Sequence, residues 1–211
     1  MTSMDGGAYA DPATDPIATL LAGTAGVDFV LVDLQGTAHV DGGVERLAVL
    51  SGSFNPLHHG HEELARVASE VAGCEVVFEL SVVNVDKPPL THIEAERRAA
   101  QFVGRWRVLL TRAPRFVEKA RLFPGSVFVI GWDTAVRLVQ PRYYEDSEAA
   151  MHAALEEMRA LGTRFLVAGR AAEGEFRTLD HAPPPAPYAS MFESIPEALF
   201  RADVSSTELR G

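Results

Sequence analysis

A chain of 211 residues can bury a substantial core, and its 47% apolar and 23% charged residues are the balance of a globular protein built around one main domain. Acidic residues outnumber basic ones 29 to 19, a formal net charge of −10, which argues against a broad nucleic-acid-binding surface but leaves room for a small phosphate site. The single cysteine, Cys74, excludes an internal disulfide and a cysteine-based zinc cage, and no apolar run approaches the ~18 residues of a membrane span.

Residues 1–16 are acidic, small and proline-containing, without the basic flank and apolar stretch of a secretory signal; a cytoplasmic location is the expectation. A short helix is predicted from Ile17 and a strand over 28–33, with Gly42 and Gly43 marking a turn. Residues 1–45 read as an N-terminal extension, and 46–211 as the main domain. From Arg46 the pattern becomes regular. Strands are predicted over 47–50, 75–83, 107–111, 127–130 and 164–168, with helices over 61–71, 93–103, 116–122, 133–139 and 148–161 between them. Thr91 with Glu94 three residues on is a capping pattern. Strands alternating with helices predict an α/β fold, a Rossmann-like doubly wound parallel sheet of about five strands with helices on both faces. Ligands bind such sheets at the carboxyl ends of the strands. The proline-rich stretch 182–187 is expected to be extended and non-helical.

The loop after the strand at 47–50 is Gly52-Ser53-Phe54-Asn55-Pro56-Leu57-His58-His59-Gly60-His61, and it leads into a helix. A helix N-terminus offers unpaired N–H groups and partial positive charge, a ready phosphate site. Gly60 lets the main chain approach a ligand. Imidazoles at 58 and 61 can converge on one anionic group, while His59 points elsewhere. Near the other end, Val204-Ser205-Ser206-Thr207-Glu208-Leu209-Arg210 combines hydroxyls with an arginine; taken alone it reads as a helix cap, and a capped helix start is also a phosphate site.

The first segment resembles the signature Gly-(Ser/Thr)-Phe-(Asn/Asp)-Pro-x-His-x-Gly-His of the HxGH nucleotidyltransferase superfamily at every fixed position. The second resembles that superfamily's Ile-Ser-Ser-Thr-x-Ile-Arg. The resemblance runs from about Leu47 to Arg210 and is most like the nicotinamide and nicotinate mononucleotide adenylyltransferases. It implies that an acceptor phosphate attacks the α-phosphorus of ATP in line and pyrophosphate departs. His58, His61, Lys87 and Arg210 would then stabilise charge. Gly52, Ser53, Phe54, Asn55, Gly60, Gly131, Asp133, Ser205, Ser206 and Thr207 would bind nucleotide, and Mg2+ would bridge the phosphates, keeping most of its waters.

Gly131-Trp132-Asp133 resembles the family's Gly-x-Asp element. Asp133 reads equally as a helix cap, and Trp132 as a core residue or as a platform for a base or pyridine ring. Arg98 fits an arginine of the family's following helix, against the alternative of a solvated side chain; Tyr143 and Tyr144 are candidates for the acceptor pocket. The chain ends one residue past Arg210, so this reading expects Arg210 to lack the helix that follows the signature in the family. The expected partners are ATP and a small phosphorylated acceptor, with no nucleic acid and no membrane; a homo-oligomer is compatible with the sequence. Phosphopantetheine or cytidylyl transfer is the alternative within the superfamily, and a nucleotide-binding regulator with little turnover the alternative outside enzymes.

Overall fold

The computed structural model describes residues 15–42, 47–83, 88–172 and 175–201. Six strands run parallel in one sheet: β3 (Ala48–Ser51), β4 (Val76–Ser81), β5 (Val108–Thr111), β6 (Val127–Gly131), β7 (Arg164–Ala168) and β10 (Phe192–Ile195). A hairpin of β1 (Phe29–Val32) and β2 (Ala38–Val40) joins antiparallel to β5, giving the order β10-β7-β6-β3-β4-β5-β1-β2. A separate hairpin pairs β8 (Arg170–Ala172) with β9 (Glu175–Arg177).

The main sheet therefore has eight strands, more than the five expected. The five expected strands are β3 to β7. β10 escapes a pattern search because Phe-Glu-Ser-Ile is four residues long and buried only at its ends. β2 is exposed along most of its length, so it carries no apolar run. The proline stretch also departs from expectation at its end, where Ala186–Met191 turns into a 3-10 helix. Proline in a first helical turn gives up an N–H that has no partner there anyway.

Alternation along each strand divides the core into two layers. On one face Leu50, Phe78, Leu80 and Leu110 pack against α1 (Pro16–Ala22), α2 (His59–Ala72) and α3 (His92–Ala100) through Leu20, Ala65, Ala68 and Ala95. On the other face Val49, Val77, Leu109 and Phe128 meet α4 (Phe116–Leu122), α5 (Trp132–Leu138) and α6 (Glu148–Ala160) through Ala120, Ala135, Leu155 and Met158. The chain proceeds from β3 outward through β4 and β5, then returns to the other side of β3 as β6. That reversal separates the loops leaving β3 and β6 and opens a crevice at their carboxyl ends. Among the described residues no helix is long and apolar enough to cross a membrane.

Candidate active site

Both glycine-bearing turns of the sequence fall at that reversal: residues 52–58 leave β3 and Gly131 ends β6. The β3 turn is held from within by Phe54. Its backbone is left-handed (φ +42°), and its ring is buried edge-on against His61, Phe78 and Phe102 at 5.0, 5.1 and 5.4 Å between centroids. The position before Ser53 must be glycine, because a Cβ on Gly52 would stand 2.7 Å from Phe54 Cζ. Since Phe54 is enclosed, it has nowhere to retreat. Gly52→Ala is expected to cost about 1–3 kcal/mol by overpacking and to lower turnover at least tenfold by displacing the loop; a urea midpoint and turnover both equal to those of the parent would refute this packing.

The turn is also held from outside, by α3. Gln101 Nε2 donates to the Phe54 carbonyl (3.0 Å), and its Oε1 accepts from the Leu57 N–H (2.9 Å). Arg97 donates to Asn55 Oδ1 (2.9 Å) and Arg98 to the Ser53 carbonyl (3.1 Å). Glu94 accepts from both arginines, which hold its carboxyl down at about 2. Arg98 is 14% exposed at its side chain and so is not a solvated helix arginine; it supports the loop and lines the cleft beside it.

α2 begins two residues earlier than its pattern suggests, at His59, with His58 as its N-cap and Gly60 buried in its first turn. The His58 and His61 rings stack at 3.6 Å between centroids and 24° between planes. The exposed His59 ring lies 6.2 Å from that of His58. His61 Nδ1 accepts the His58 backbone N–H (3.4 Å), which places the proton of the neutral ring on Nε2. Burial, then the neighbouring His58, pushes the His61 pKa down to about 4; His58 is lowered by burial and by His59. At neutral pH the pair therefore presents neutral donors at a helix N-terminus.

A cleft of about 770 Å³ opens beside the turn, lined by Gly52, Ser53, Asn55 and Arg98 on one side and by Phe116, Lys119, Thr134 and Arg137 on the other. Its floor holds charges that no motif marks. Glu79, 1% exposed, accepts through Oε1 from Lys119 Nζ (2.7 Å) and Thr111 Oγ1 (2.6 Å); Lys119 is 4% exposed. The available signal was a glutamate interrupting the apolar run Val76 to Leu80. Gln101 and Lys119 give no such signal, because each reads as an ordinary helix residue.

The remaining expected residues divide by location. Gly131 faces open space, so a ligand can approach its backbone. Asp133 does not cap α5, whose N-cap is Gly131, and instead pairs with Arg170. Trp132 packs half-buried against the α5 side of the core with the Arg177 guanidinium 5.8 Å from its ring. Tyr143 is 43% exposed, has Arg142 over its ring, and does not line the cleft; Tyr144 donates to the Leu138 carbonyl (2.9 Å). Lys87, Ser205, Ser206, Thr207 and Arg210 lie outside the described residues.

A family model described as cytidylyltransferase-like matches residues 49–211. Among curated proteins none matches the chain.

Proposed function

Because the chain belongs to the cytidylyltransferase-like family, within the HxGH nucleotidyltransferase superfamily, we propose that it transfers the adenylyl group of ATP to a mononucleotide acceptor, nicotinamide or nicotinate mononucleotide, with release of pyrophosphate. The observation that carries this reading is the seating of His58 and His61 on the N-terminus of α2, at the reversal of strand order. The two histidines do not themselves line the cleft, whose wall is made by Gly52, Ser53 and Asn55 of the loop before them.

Such a site works by positioning and by stabilising charge, with no protein nucleophile. His61 Nε2–H, His58 and the first amides of α2 would take the oxygens on which charge gathers as the acceptor phosphate attacks the α-phosphorus. An arriving phosphate also favours the protonated imidazole, so the depressed pKa of His61 would rise on binding. Arg98 and Arg137 add positive charge along the cleft. By resemblance to the family, Lys87, Arg210 and the hydroxyls of Ser205, Ser206 and Thr207 would hold the rest of the triphosphate.

Magnesium would accompany that triphosphate. Among the described residues one group could hold a metal through three ligands, Asp15, His92 and Glu96, and none of the three lines the cleft. By resemblance to the family, a magnesium ion bound with the triphosphate would neutralise phosphate charge.

The family description supports a second reading, cytidylyl transfer from CTP to a phosphorylated acceptor. Pyrophosphate release measured with ATP or CTP, each with a panel of phosphorylated acceptors, separates the two. Release with ATP and a pyridine mononucleotide is the expected result. Tight nucleotide binding with no release under any acceptor would replace the transferase reading by that of a regulator.

A further inference from the structure

The polar floor of the cleft is more specific than a phosphate site requires. Ser51 ends β3 directly opposite Glu79 of the neighbouring parallel strand. Both share strand parity with Val49 and Val77, so they project to the same face of the sheet, the face covered by α4 and α5. Thr111 of β5 shares it with Leu109. Three polar side chains thus form a row at the carboxyl ends of adjacent strands, where the positions below them are wholly apolar.

One oxygen of Glu79 is fully used and the other is not. Oε1 receives Thr111 and Lys119, whereas Oε2 is buried with no hydrogen-bond partner among the described residues. Ser51 Oγ is likewise buried and without one. Ser51, Glu79, Lys119 and Phe116 all line the same cleft as the motif loop. A buried acceptor left unsatisfied is costly, and a ligand that satisfies it gains correspondingly.

The chemistry of the two free atoms is complementary to one group. A carboxylate held by a lysine can only accept, so Oε2 requires an N–H or O–H from the ligand. The Ser51 hydroxyl beside it can donate. An amide presents a matching pair, NH2 toward Glu79 and C=O toward Ser51, while a ligand carboxylate would set two anionic oxygens against Oε2. Phe116 adds an aromatic wall to the same space, suited to a flat, electron-poor ring.

Resting on the mononucleotide reading above, we infer that Ser51 and Glu79 form the acceptor-discriminating subsite and select a carboxamide-bearing pyridine mononucleotide over its carboxylate counterpart. Lys119 and Thr111 fix the rotamer of Glu79 and act as positioning residues.

The experiment compares kcat/KM for nicotinamide and nicotinate mononucleotide with ATP, in the full-length protein. The wild type is expected to prefer the amide at least tenfold. Glu79→Gln, whose own NH2 can donate to a carboxylate, is expected to shift that ratio at least tenfold toward the acid. Ser51→Ala keeps the buried ion pair and so serves if Glu79→Gln does not fold; it is expected to lower kcat/KM for the amide about tenfold. Equal use of the two acceptors or preference for the acid by the wild type would overturn the subsite while leaving adenylyl transfer standing. The same holds if a folded Glu79→Gln keeps the wild-type ratio, or if Ser51→Ala leaves the amide rate unchanged. Failure of the wild type to use either acceptor would overturn the subsite and the mononucleotide reading together.

Discussion

His61→Ala is expected to lower kcat by about 10²–10³, the cost of removing one preorganised donor from a site that stabilises developing charge. The ring is positioned by three contacts: the His58 stack, the His58 backbone N–H and the edge of Phe54. In the proposed mechanism its Nε2–H is the donor that would meet a phosphate. Nucleotide affinity is expected to fall less than kcat, because the α2 amides remain. Pyrophosphate release under saturating substrate, with circular dichroism and a cooperative urea transition to establish that the fold persists, decides the matter. Near-normal turnover in a folded variant would remove His61 from the mechanism. Stability adds a second readout with a definite sign. The folded pKa of about 4 lies below the ordinary 6.5, so between these values the unfolded chain binds the extra proton. The contribution of His61 to stability is present above about pH 6.5 and declines as pH falls toward 4. The gap in unfolding free energy between wild type and His61→Ala should narrow over that range.

Lys119→Met is expected to destabilise the protein by about 3–5 kcal/mol, since it leaves Glu79 as an uncompensated buried charge. Both partners are almost wholly enclosed, and the Lys119 ammonium bonds the same carboxylate oxygen as Thr111. Removing the charge from both sides should recover most of this loss: Glu79→Leu combined with Lys119→Met is expected to be close to wild type or above it in urea unfolding, and to be a poor enzyme. That contrast distinguishes a pair kept for ligand recognition from one kept for stability. A single Lys119→Met variant within 1 kcal/mol of wild type would contradict the burial of the pair.

The motif loop was legible in the sequence because its parts are consecutive. Gly52, Phe54, His58, Gly60 and His61 act within one turn, and the strand before and the helix after show plain periodicity. The five inner parallel strands were legible for the same reason: each is a short run of consecutive, mostly apolar residues, broken inside only by Glu79 of β4. The cleft floor was not. Ser51, Glu79 and Thr111 stand 28 and 32 positions apart along the chain, and only the sheet order brings them together, with Lys119 reaching in from α4. Gln101 was hidden because a glutamine on a helix reveals nothing of the loop it bonds. Arg98 was named from resemblance, but its tether to Ser53 needed the fold. β10 and β2 were missed because sheet edges need little apolar sequence to be stable once a neighbour supplies the ladder.

The hairpin β1–β2 has a consequence for the free border of the sheet. β5 is buried along its whole length, and β1 satisfies the backbone groups on its outer side through four residue pairs. A Val-Leu-Leu-Thr strand stripped of that cover would offer a bare template to any extended chain in reach. β2, which takes the border position instead, is three residues long and exposed over most of its length, with a histidine at its centre. The leading segment thus trades a sticky margin for an unattractive one, and trimming the chain back to its catalytic motifs would invite self-association rather than yield a minimal enzyme.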